Sequence, residues 1–335
     1  MPPPAQRPPL HPPTTPEGQR GRGRLLAIGD GSSHGAFGSA EWGLLAAVAV
    51  IWGSSFLLID IGLRDFTPGL VALMRVAFGA LALAVVPRAR ASVDRQDLPR
   101  IALLGVTWMG VPLILFPVAQ QWIDSSVAGM LNAAVPLTTA VWAAALLRRW
   151  PNRRQATGLL LGFAGIVLIS LPELPTDAIA TQGSGAAVLG VLLVLLAVVL
   201  YGLSANLAVP LQQRYGALPV LLRAQLAAMV VVVPFGLATA SGSTWSWTSA
   251  AAMVPLGMLG TGLAFVLMTT LVGRVGGPRG SIAIYFTPIV AIALGVSLAG
   301  EELHPLAALG SVLVIGGAWI TSRRQDLPVS PAGRA

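Results

Sequence analysis

Charge is costly inside an apolar run, and this chain places it there sparingly. Asp60 lies near the end of the run 43–63, and Arg75 lies within the run 69–87. An arginine at the middle of a bilayer costs on the order of 2.5–3.5 kcal/mol, so it must face the protein interior and find a partner. Two chemistries fit. Asp60, at a comparable depth, would make a structural ion pair that pins two helices. Alternatively, Arg75 binds the carboxylate of a substrate or works in a gate. Arg223 lies near the end of its own run, where its stem can carry the charge to water.

Trp52, Trp108, Tyr201 and Tyr285 also sit inside apolar runs rather than at their ends. Such rings either pack helix on helix or line a wet cavity, where indole N–H and phenol O–H find partners. Among uncharged polar residues, Ser54, Ser55, Ser204, Thr261 and Thr287 can return a hydrogen bond to their own helix. Asn132 and Gln225 cannot satisfy a whole amide that way, so they rank higher as cavity candidates, with Ser55 beside them. Pro136 and Pro288 remove a helical N–H at matching places and mark either static kinks or hinges.

Other chemistries are poorly provided for. The chain has no cysteine, which removes disulfides, thiolate metal sites and cysteine nucleophiles. His11 and His34 precede the first run, and His304 shares a short turn with Glu301 and Glu302. That turn lacks a fourth metal donor, and a helix cap explains it more simply. No apolar run carries two acidic residues, so a membrane-embedded enzyme would lack its paired carboxylates. No GxxxxGK[ST] loop is present, so no nucleotide or other cofactor is expected. Gly29, Gly31 and Gly35 follow no strand and read as linker.

The elements that position these residues follow from composition. The chain is 55% hydrophobic and 10% charged, against about 25% charged in soluble domains. Ten apolar runs, 43–63, 69–87, 101–119, 125–147, 156–172, 186–208, 218–238, 249–271, 280–299 and 304–322, are each long enough to cross about 30 Å of hydrocarbon as a helix. All 21 basic residues are arginine. With the N-terminus inside, 18 of them fall in the tails or inner loops and only Arg64 falls in an outer loop, as the positive-inside rule requires. Basic charge here therefore points to cytoplasmic loops rather than to nucleic acid. Trp42, Trp150 and Trp319 fall at inner boundaries, and Trp122, Trp245 and Trp247 at outer ones. Residues 1–40 read as a disordered cytoplasmic tail, since eight of the first sixteen are proline, and 323–335 read as a second cytoplasmic tail.

The chain also matches itself. Gly105, Gly110, Pro136, Gly158 and Gly165 meet Gly257, Gly262, Pro288, Gly310 and Gly317 at one offset of 152 residues. Trp52-Gly53 aligns more loosely with Tyr201-Gly202. Each half, 43–172 and 186–322, then holds five helices, and an odd number sends the second half through the membrane upside down. Inverted repeats are a signature of carriers whose halves rock about a central site.

Ile51-Trp52-Gly53-Ser54-Ser55-Phe56, Thr67-Pro68 followed by Arg75, Thr287-Pro288-Ile289-Val290, Gly300-Glu301 and Gly316-Gly317 together resemble the EamA type of the drug/metabolite transporter superfamily over residues 43–322. The first half departs from the pattern, with Leu147-Arg148-Arg149 where a Gly-Glu turn belongs. The resemblance implies an all-α integral membrane protein of ten transmembrane helices, built as two inverted five-helix repeats in the cell membrane with both termini cytoplasmic. It implies secondary transport, most simply export, of small metabolites such as amino acids. A carrier of lipid-linked or nucleotide-activated sugars is the alternative within transporters; an embedded enzyme or a non-transporting scaffold is the alternative outside them. Partners are then a small molecule and the lipid bilayer. Proton coupling would rest on Asp60, and facilitated diffusion is equally allowed.

Overall fold

The computed structural model describes residues 25–26, 28–29, 31–123, 128, 131–147, 150–170, 184–294 and 305–323. Among them there is no strand, and the helices follow one another as ten rods. These are α1 (Ser39–Leu63), α2 (Pro68–Ala84), α3 (Arg95–Ala119), α4 (Val135–Leu147), α5 (Arg153–Ser170), α6 (Ser184–Tyr215), α7 (Ala217–Thr239), α8 (Trp247–Val275), α9 (277–294) and α10 (Pro305–Ser322). Five of the described helices are long and apolar enough to cross a membrane: α3, α6, α7, α8 and α10. α2 and α4 are shorter apolar helices. The expected turn at 301–304, the arginine pair at 148–149 and the tails 1–24 and 324–335 lie outside the described residues.

Local chemistry sets the helix ends. The Glu41 carboxylate accepts from the Gly38 N–H at 3.0 Å, which satisfies a donor left over at the start of α1. Thr67 and Ser246 cap α2 and α8 with their hydroxyls, accepting from Leu70 and Ser249. Gly216 (φ +76°) and Gly276 (φ +85°) make the sharp exits from α6 and α8, conformations that a side chain disfavours.

Two features depart from the sequence reading. Pro136 is the second residue of the helix Val135–Leu147, whereas Pro288 lies inside α9, where the 3₁₀ stretch Ser281–Phe286 passes into the α-helical turn Thr287–Leu294. A first-turn N–H has no intrahelical partner to lose, so Pro136 opens its helix at no cost, while Pro288 marks a change of helix type within α9. Residues 31–38, expected within a disordered tail, instead lie against the body. Ser33 N–H donates to the Arg274 carbonyl at 2.7 Å, and Phe37 N–H to the Ser322 carbonyl at 3.0 Å. Arg279, 1% exposed, donates to the carbonyls of Ser33, Gly35 and Ser322 and lies over the Phe37 ring. The Phe37–Ser322 bond also puts the entry and exit of the chain at one end of the bundle, here called the terminal end.

Glycine contacts follow the internal repeat. A methyl group at Gly158 would lie 2.8 Å from the Gly317 carbonyl oxygen, and one at Gly310 would lie 2.4 Å from that of Gly165. These two contacts exchange under the offset of 152. A methyl at Gly53 would meet Val290, and one at Gly202 would meet Thr138, another pair related by the repeat. The third pair is Gly105 against Ala224 and Gly257 against Arg75, at 2.0 Å and 2.8 Å from the backbone oxygens. Every one of these contacts joins one half of the chain to the other. The repeat recurs in backbone form: α3 widens into a π-helix at Val106–Gly110 and α8 at Leu256–Leu263.

Candidate functional site

A cavity of about 1020 Å³, its open mouth included, lies among α1, α2, α3, α4, α6, α8 and α9. It runs from mid-bundle towards the end opposite the termini, because Ile59, Val71 and Gln120, which line it, stand near the far ends of α1, α2 and α3. Six sequence candidates line it together: Trp52, Ser55, Arg75, Trp108, Asn132 and Tyr201.

Arg75 is the only charged residue among the lining residues described. Its Nε donates to Thr261 Oγ1 at 2.8 Å. Among the described residues it pairs with no carboxylate; the expected partner, Asp60, is on α1, but its side chain lies outside the described residues. Trp52 donates from Nε1 to the Gly260 carbonyl at 2.9 Å. Phe265 stands edge-on to both Trp52 and Trp108, with ring centroids 5.3 and 5.4 Å away, and Phe116 stacks on Tyr201 at 5.9 Å. One face of the cavity is thus aromatic, with π faces that accept apolar groups and cations alike. Asn132 leaves its Oδ1 without a partner among the described residues. Ser55 and Thr287 bond back to their own chain, at the Ile51 and Ile284 carbonyls.

Two candidates stand elsewhere. Gln225 is fully buried on α7 and donates from Nε2 to the Thr261 carbonyl at 2.8 Å. That carbonyl belongs to the π-helical stretch, whose wider turns break the regular backbone pattern. Tyr285 lies in a 3₁₀ stretch of α9 and gives its hydroxyl to the Leu159 carbonyl at 2.9 Å, with its ring on Gly162. The Tyr285 hydroxyl and the Gln225 Nε2 are thus spent on packing, while Gln225 Oε1 is buried without a partner among the described residues. Phe116, Gln120, Phe265 and Met268 line the cavity without having been singled out. Gln120 falls one residue past the run 101–119 and so lacked the membrane-depth signal that Asn132 carried; the apolar residues carried none.

The two ends of the bundle are tied by contacts that the repeat also relates. At the terminal end, buried Asp97 accepts from the Tyr215 hydroxyl at 2.6 Å, Arg214 Nη1 at 2.8 Å and Arg100 Nη1 at 3.1 Å, and Arg214 bridges to Asp94 as well. At the far end, the Ser249 hydroxyl meets Asp65 Oδ2 at 2.5 Å. Asp97 and Ser249 are mates at the offset of 152, and Asp65 and Arg214 at the offset of 149 that Trp52 and Tyr201 set. Hydrogen bonds from the Ser249 and Ser246 hydroxyls hold the Asp65 carboxyl below its ordinary value of 3.8.

Known proteins share this architecture. A solved structure superposes with a TM-score of 0.70 at 17% identity, over 86% of this chain and 98% of that one. A probable terminal-alkyne amino-acid exporter of Streptantibioticus cattleyicolor is 29% identical over 85% of this chain and 94% of its own length. The inner membrane transporter YedA of Escherichia coli is 28% identical, over 87% and 93%. The transporter YoaV of Bacillus subtilis is 23% identical, over 83% and 95%. The model of the EamA-like transporter family matches twice, at residues 41–171 and 188–323. With apolar helices around an interior cavity and two copies of one family model along the sequence, the chain is a multi-pass membrane protein and belongs to the EamA-like transporter family.

Proposed function

We propose that this protein is a secondary transporter that exports amino acids or closely related small metabolites across the cell membrane. It works by alternating access between two five-helix halves set in opposite orientations, with the terminal end cytoplasmic. The observation that carries the substrate class is the single cation, Arg75, in an aromatic cavity. One guanidinium suits one carboxylate, and the rings beside it suit an apolar side chain or an ammonium group. Phosphorylated or nucleotide-linked substrates would want several cations, and the described lining residues supply one. The name of the Streptantibioticus relative agrees with this class. The orientation rests on the arginine bias, and the inversion on the repeat-matched glycine contacts and the paired π-helices.

The test is counterflow of a labelled amino-acid panel in vesicles carrying the purified protein, with and without a pH gradient. Exchange of apolar or aromatic amino acids, abolished by Arg75→Ala in correctly inserted protein, is the expected result. Exchange of none of the panel, or full activity in the variant, overturns the reading. A gradient that drives accumulation would assign proton coupling, for which Asp60 is the residue to replace.

A further inference from the structure

The π-helical stretch of α8 is a hub for three other helices. Its Gly260 carbonyl accepts from Trp52 of α1, its Thr261 carbonyl from Gln225 of α7, and its Thr261 hydroxyl from Arg75 of α2. Close approach makes this feasible: a methyl group at Gly79 of α2 would lie 3.1 Å from Thr261 Cβ and 3.1 Å from Gln225 Oε1. Thr261 is fully buried and is not among the cavity-lining residues, so it does not touch a substrate held there. It does hold the guanidinium that would. Arginine carries five N–H donors in a rigid fork, one on Nε and four on the two Nη atoms. With Nε–H engaged by the Thr261 oxygen, the plane of the fork is fixed, and no side chain among the described residues takes the Nη edge that a ligand would use.

We propose that Thr261 is a positioning residue: it orients Arg75 for two-point binding of a carboxylate, and so makes the protein prefer carboxylate-bearing substrates over their decarboxylated amines. The proposal rests on the reading of Arg75 as the substrate's ligand. A neutral hydroxyl suits this task better than an aspartate or glutamate would, because it orients the guanidinium without neutralising its charge. Loosely held, the same arginine would sample many rotamers and lose selectivity.

The experiment is equilibrium binding of labelled phenylalanine and labelled phenethylamine to the purified protein and three variants. Native protein should favour phenylalanine by about tenfold or more, the scale of a charge-assisted pair of hydrogen bonds. Thr261→Val keeps the shape and removes the hydroxyl; it should cut that preference severalfold by weakening phenylalanine alone. Thr261→Ser should retain the preference, and Arg75→Gln should abolish it. If Arg75→Gln abolishes the preference and Thr261→Val leaves it intact, Thr261 does not position the arginine. Equal weakening of both ligands in Thr261→Val would make its role merely structural and overturn the proposal. Absence of any preference in the native protein, or its survival in Arg75→Gln, would sink the reading of Arg75 and this inference with it.

Discussion

At the scale of the residue, polarity at membrane depth was the readable signal, and it located the cavity in part. Arg75, Trp52, Trp108, Asn132 and Tyr201 stood out because each is expensive in lipid, and all five line the cavity. Gln225 and Tyr285 carried the same signal, yet the Gln225 Nε2 and the Tyr285 hydroxyl donate to backbone carbonyls of neighbouring helices. Sequence gives the depth of a group but not the direction it faces. Phe116, Phe265 and Met268 left no mark because such residues are as welcome against lipid as against a substrate. Two predictions belong here. Arg75→Lys should retain only part of transport, since a point charge cannot replace the two-point fork; the check is KM against expression-matched native protein, with a rise of about tenfold expected. The Asp65–Ser249 contact should be pH-independent across the neutral range. Because the folded carboxyl titrates below 3.8, its contribution is complete above about pH 4 and fades as acid protonates it through the lowered value. Thermal unfolding at pH 5–8 should therefore show the same decrement for Ser249→Ala throughout.

At the scale of the element, the described residues of the apolar runs are largely helical, and five of the helices are long and apolar enough to cross a membrane, because hydrophobic length is hard to disguise. What stayed hidden was backbone irregularity. Gly105 precedes the first π-helical stretch and Gly110 closes it, while Gly257 and Gly262 lie within the second, so the repeat marked where they fall without revealing what they are. Proline likewise announced a discontinuity at 136 and 288, but not its form: a helix opening at Pro136 and a passage from 3₁₀ to α-helix within α9 at Pro288. Glycine contacts give graded predictions. Gly105→Ala would press a methyl to 2.0 Å from the Ala224 carbonyl, whereas at Gly110 the nearest atom is 3.6 Å away. The first should cost about 1–3 kcal/mol and the second little, read as melting temperatures of the two variants in detergent. The segment 31–38 defied its composition because its backbone, more than its side chains, makes the bonds. Removing residues 1–36 leaves Arg279 with one of its three carbonyl acceptors, Ser322. The purified truncated protein should melt at a lower temperature than the full chain.

At the scale of the whole molecule, three pairs of glycine contacts, two π-helices and two end ties all exchange under the repeat. Under the proposed inversion, a relation of that kind would leave two equivalent arrangements of the same parts, one open to each side, as a carrier needs. The chain contains no cysteine, so single thiols can report on it cleanly. Ser92 and Thr244 are exposed, stand at the repeat offset, and follow the second helix of each half. In intact cells, a thiol reagent that cannot cross the membrane should label Thr244→Cys and spare Ser92→Cys until the membrane is permeabilised. Labelling of both positions in intact cells, or of neither, would contradict two halves that enter the bilayer in opposite senses.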